Sequence, residues 1–242
     1  MLKIAFNNNY IYPLEENHRF PMIKYELIPE QLIRENTCSD KNFFKPEMID
    51  EKIVLKTHQL QYFDRLKKQK LSSKEIREIG FPFSKDLYIR EMTISKGTID
   101  CVNFSIDNGI SMNIAGGTHH AFYDRGEAFC MLNDQAIAAN YILDNGLGKK
   151  NLIIDLDVHQ GNGTASIFKN NDSVFTLSFH GKNNYPFRKE KSDLDIELDD
   201  NTDDEIYLNL LKETIPEILD KTEPDFIFYL SGVDVLKNDK LG

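Results

Sequence analysis

Asp155, Asp157 and His159 stand at every second position of NLIIDLDVHQGNG (151–163), directly after an apolar run. On an extended segment residues two apart face the same side, so the three polar groups are expected to point together while Leu156 and Val158 pack the other way. Joined by the carboxylate of Asp234 in SGVDVLKND, they would supply the mixed nitrogen and oxygen three-ligand set of a catalytic zinc site with an open position. Such a centre lowers the pKa of its water and polarises a carbonyl. The structural alternative is that the aspartates cap the next helix and His159 is a loop residue. GGTHH (116–120) holds a second set. A histidine there has the near-neutral pKa needed to take a proton from water and return it to a leaving amine. Alone, His119 and His120 are weak evidence, because adjacent loop histidines can diverge to separate structural partners. Gly116 and Gly117 would permit a tight turn in either case.

These groups need a scaffold, and the second half of the sequence reads as alternating strands and helices. SMNIA (111–115), NLIIDLD (151–157), VFTLSF (174–179) and DFIFYL (225–230) read as strands; NDQAIAANYILD (133–144), a stretch near GTASIF and residues 203–220 read as helices. Asn133 lies near the first helix cap, Asn145-Gly146 at its end, Thr202-Asp203-Asp204-Glu205 has capping-box spacing, and Pro216 could kink the last helix. Strands apolar on both faces that alternate with helices imply a parallel sheet covered by helices, with ligands beyond the strands' carboxyl ends. Each strand is followed by such groups: GGTHH, DLDVHQGNG, HG and SGVD.

The chain has 242 residues with 40% hydrophobic content, consistent with a single α/β domain over 1–242. A formal charge of −10 argues against direct nucleic-acid or anionic-membrane binding and suits a cationic or cation-derived substrate. Three scattered cysteines make no disulfide framework or CxxC zinc site, and there is no signal-like N-terminus or apolar run of about 18 residues, so a cytoplasmic protein is expected. The basic stretch 65–77 and acidic stretch 197–205 read as solvated surface. No GxGxxG follows a strand, which disfavours a nucleotide-dependent dehydrogenase.

GGTHHAFYDRGEAFCMLND, DLDVHQGNG, LSFHG and SGVDVLKNDKLG together resemble the histone deacetylase superfamily, with its arginase/deacetylase fold: a three-layer α/β domain around a mostly parallel central sheet. DLDVHQGNG is most similar to class IV members and their bacterial relatives. The resemblance is dense from about residue 88 to 242 and looser before, where ENHRFPMIKY and KTHQLQYF match earlier His-containing segments. It implies zinc (Fe2+ being the alternative) on Asp157, His159 and Asp234. His119 would share a relay with Asp155, and His120 would be the general base and acid with Asn162 behind it, where most members have Asp. Ala128, at a common Gly position, would offer its carbonyl to the substrate amide. Phe129 and Tyr185 would form the tunnel walls. A structural K+ would use Asp155, Asp157, His159, Ser178 and Phe179, partly through carbonyls.

The implied reaction is hydrolysis of the amide in acyl-lysine, in a peptide or protein, or in a related acylated amine such as an acylated polyamine. No stretch matches the family's Gly-Gly-Tyr segment, whose hydroxyl helps hold the oxyanion, so the resemblance implies a C-terminally incomplete domain. The alternatives are a non-catalytic metal- or ligand-binding relative and a two-metal phosphoesterase on a similar sheet.

Overall fold

The computed structural model describes all residues, Met1–Gly242. The chain divides into two compact units, Met1–Tyr141 and Ile142–Gly242. All strands pair in parallel, as the alternating sequence pattern requires, and they form two sheets.

The first unit contains β1 (Lys3–Ala5), α1 (Lys24–Arg34), β2 (Phe43–Phe44), α2 (Glu51–Val54), α3 (Leu60–Lys67), α4 (Ser73–Ile79), α5 (Lys85–Asn108) and β3 (Ser111–Asn113). The three strands order as β2-β1-β3. The Ser84 hydroxyl accepts from Leu87 N at the start of α5, and Gly109 ends the helix at φ +77. A buried Arg90–Glu91 pair at 2.5 Å lies inside α5, and Arg90 Nε donates to the carbonyl of Tyr10. α6 (Asp134–Asp144) runs across the boundary between the units, and Asn133 Oδ1 caps it by accepting from Ala136 N.

The second unit has the strand order β6-β5-β4-β7, from β4 (Asn151–Asp155), β5 (Val174–Gly181), β6 (Leu194–Leu198) and β7 (Phe226–Leu230). β4 is buried along its whole length between β5 and β7, which explains its unbroken apolar run. α7 (Asn162–Phe168) follows β4, and α8 (Asp204–Thr222) packs Leu211, Ile215 and Ile218 against Leu152, Ile154, Leu177 and Phe179. Register places Ile227 and Tyr229 of β7 beside Leu152 and Ile154, yet they remain 50% and 59% exposed.

Three sequence readings are corrected. β3 belongs to the first unit's sheet, so only three of the four polar strand ends share a sheet. The cap of α8 is Asp203, whose carboxylate accepts from Ile206 N, rather than Thr202, and α8 runs on through Pro216 to Thr222. β4 ends at Asp155 rather than at Asp157. No helix is long and apolar enough to cross a membrane.

Candidate active site

The convergence of Asp155, Asp157 and His159 has a different origin from the extended alternation the sequence suggests. Beyond β4 the backbone turns: Asp155 Oδ1 accepts from Asp157 N at 3.1 Å, and Asp157 Oδ1 accepts from His159 N at 2.9 Å. Each carboxylate therefore holds the peptide two residues on, the habit of Asp in short turns, and the chain folds back repeatedly on one side. The aspartates do not cap α7, whose N-cap is Gly161 without a side-chain bond.

Gly232, after β7, brings the third group in. A Cβ there would fall 2.5 Å from Asp157 Cα, so only glycine allows the two strand ends this close. Asp234 Oδ1 then accepts from Val158 N at 3.0 Å, while its Oδ2 lies 3.0 Å from His159 Nδ1. The same nitrogen is 2.8 Å from Asp157 Oδ1. One ligand atom from each of Asp157, His159 and Asp234 lies within 4.8 Å of the other two. Burial alone would lower the His159 pKa, but hydrogen bonds and charge from Asp157 and Asp234 raise it to about 10. His159 Nε2 donates to the carbonyl of Leu241 at 3.1 Å.

This donor set fits a divalent cation. With Nε2–H bonded to the Leu241 carbonyl, Nδ1 is the nitrogen that faces both carboxylates, and loss of its proton would leave a nitrogen lone pair beside two oxygen donors for an ion.

Tyr185 packs edge-on against His159, ring centroids 6.2 Å apart. Its loop is fastened by Gln160, which the sequence reading passed over: Gln160 Nε2 donates to Glu190 O and its Oε1 accepts from Glu190 N, both at 2.8 Å. Nothing local marks Gln160 for this, since the contact depends on a loop thirty residues on. Ser178 pairs in register with Asp155, and its hydroxyl lies 3.0 Å from His180 Nδ1. The Phe179 side chain is buried in the core, so only its carbonyl could serve an ion. Asn162 is buried at the start of α7, its Oδ1 accepting from Gly163 N.

In the first unit, His119 and His120 are both buried, and their rings lie side by side with centroids 4.0 Å apart rather than diverging. Gly117 has φ +92, the turn that the glycines foretold. His58, whose pKa burial lowers to about 4, is a neutral pin: Nδ1–H donates to Phe122 O at 2.9 Å and Nε2 accepts from Asn133 N at 3.0 Å. Between those attachment points Ala128 and Phe129 take φ +41 and +68, conformations costly for residues with a Cβ. Backbone bonds hold them there, from Ala128 N to Glu78 O at 2.9 Å and from Phe129 N to Ile79 O at 2.6 Å. The Phe129 ring packs with Phe20 and Phe81, each 5.2 Å away between centroids.

Parallel strands with an Asp/His/Asp cluster at their carboxyl ends define an α/β domain carrying a candidate metal centre. Residues 15–242 match the histone deacetylase domain, and the chain belongs to that family, with its arginase/deacetylase-like fold. An uncharacterized protein of Picosynechococcus sp. is 38% identical over 239 residues, covering 99% of this chain and 80% of that protein. The acetoin utilization protein AcuC of Staphylococcus aureus is 26% identical, covering 95% of this chain but only 64% of AcuC, so the chain spans less than two thirds of that relative. An HDAC homolog from Aquifex aeolicus has the same fold, with a TM-score of 0.85 at 23% identity over 100% of this chain and 71% of that one. So does an HDAC homolog solved in complex with SAHA, with a TM-score of 0.85 at 24% identity and the same coverage.

Proposed function

We propose that residues 1–242 act as one catalytic domain that hydrolyses the amide of acyl-lysine or a related acylated amine. The observation that carries this reading is the His159 Nδ1 atom set between the Asp157 and Asp234 carboxylates, in a chain of the histone deacetylase family. Asp157, His159 and Asp234 would hold zinc, which when bound supplies Lewis acidity toward water and the acyl carbonyl. His120 takes the proton of the attacking water and returns it to the departing amine. By the family resemblance, His119 would share a relay with Asp155, and Asn162 would support His120. The Ala128 carbonyl accepts from the substrate amide N–H, and Phe129 and Tyr185 flank the neutral acyl-lysine stem, which suits aromatic walls better than a charged amine would. Asp155, Asp157, His159, Ser178 and Phe179 would hold K+ beneath the site.

The test is metal content together with turnover of an acetyl-lysine peptide and an acetylated polyamine, with SAHA as competitor. One equivalent of zinc, turnover that SAHA suppresses and loss of that turnover in His120→Ala support the reading. Zinc without any turnover that His120→Ala reduces would make the chain a ligand-binding relative instead. Two bridged metals with turnover of phosphate esters would assign it to phosphoester hydrolysis.

A further inference from the structure

Asp134 has a buried carboxylate that the proposed chemistry does not use. It is 1% exposed and lies in the first turn of α6, where an acid ordinarily serves its own helix. That duty is already met by Asn133, whose Oδ1 accepts from Ala136 N at 3.0 Å. The Asp134 carboxylate turns to the chain segment that precedes the histidine pair. Its Oδ1 accepts from Gly117 N at 2.9 Å and Thr118 N at 2.8 Å, with the Thr118 hydroxyl 2.7 Å away. Its Oδ2 accepts from the Thr98 hydroxyl of α5 at 2.6 Å. Thr98 is itself oriented by Asn113 Nδ2, which donates to its oxygen at 2.8 Å. The backbone is drawn so close that a Cβ on Gly116 would lie 2.8 Å from Asp134 Oδ2.

A carboxylate this deeply buried is tolerable only because charge-assisted bonds surround it, and such bonds are short and directional. Two of the donors are the peptide N–H groups immediately before His119. We infer that Asp134 is a positioning residue: it fixes the backbone at Gly117 and Thr118 and thereby aims the His119–His120 rings. The inference rests on the proposed role of His120 as proton carrier, because aim matters only for a group that must meet a reacting atom.

The test uses the full chain with zinc and compares Asp134→Ala, Asp134→Asn and Thr98→Val. A displacement of order 1 Å costs about a hundredfold in rate, so Asp134→Ala is expected to lower kcat about 100-fold with KM within about twofold and zinc content unchanged. Asp134→Asn keeps an oxygen for Gly117 N and Thr118 N and should recover kcat to within about tenfold of the native chain. In NMR spectra the ring signals of His119 and His120 should move in Asp134→Ala while that of His180 stays in place. A folded Asp134→Ala with native kcat, or with unmoved His119 and His120 signals, overturns the inference. Should Asp134→Ala not fold, the same ring signals in Asp134→Asn and Thr98→Val decide, small shifts confined to the pair supporting it and none overturning it. If the native chain turns over no acyl substrate, the proposed function falls, and the ring signals alone still decide whether Asp134 sets the pair.

Discussion

In residues 142–242 the candidate ligands are held by a sheet, whereas in residues 1–141 the histidine pair is held by side chains. Asp157, His159 and Asp234 follow two adjacent parallel strands, β4 and β7, and each carboxylate bonds a peptide within that junction. His119 and His120 follow the three-residue β3, and their loop takes its shape from Asp134, Thr98 and Thr118. The imidazoles differ in the same sense. His159 is charged by two carboxylates, while His58 is kept neutral by burial between two backbone groups. Under the proposed roles, the group that would hold a cation is placed where acids gather at a sheet edge, and the group that would carry a proton is set in a loop fixed by the Asp134 carboxylate.

Breaking the sheet-held half should have the largest effect. His159→Ala removes one of the three candidate ligand groups, and with it the several kcal/mol that a bound metal would supply, so turnover should fall below about one thousandth and zinc should vanish from elemental analysis. His120→Ala should cost about a hundredfold or more while zinc content stays native, separating the two halves by a single measurement. For His58 the folded pKa of about 4 lies below the ordinary 6.5, so the unfolded chain binds the proton more readily. Its contribution to stability is complete above pH 6.5 and is lost as pH falls toward 4, a change of about 3 kcal/mol. Urea unfolding across that range should show the loss in the native chain and not in His58→Gln. Gly232→Ala should force the ends of β4 and β7 apart, costing about 2 kcal/mol in urea unfolding and weakening zinc retention. Asp203→Ala, at the cap of α8, should cost only about 1 kcal/mol and leave kcat untouched.

The same contrast explains how far the sequence could be read. Most strands and helices of residues 142–242 are legible because β4 is apolar throughout and α8 carries an apolar stripe, both local patterns, whereas the edge strand β6, LDIEL, alternates with acids and reads as surface. Of the candidate ligand set, Asp157 and His159 are marked by residue type at short spacing, although turns rather than an extended strand bring them together, while Asp234 comes from a distant segment and is singled out chiefly by the family resemblance. Asp134, His58 and Gln160 were invisible in their roles. Each acts through partners between sixteen and seventy-five positions away, at distances no local spacing encodes. Asp203 rather than Thr202 as the cap is the ordinary uncertainty of a helix end that offers several capping side chains.

Val158 and Asp234, bonded across the junction, are 76 positions apart in the chain. An ion shared by His159 and Asp234 would therefore close a long loop reversibly, a cross-link made and undone by mass action rather than by oxidation. Each tenfold rise in free ion above its dissociation constant adds about 1.4 kcal/mol to the folded state. With zinc bound as proposed, the melting temperature of the chain would become a gauge of metal supply, and a chelator would lower it without touching a covalent bond.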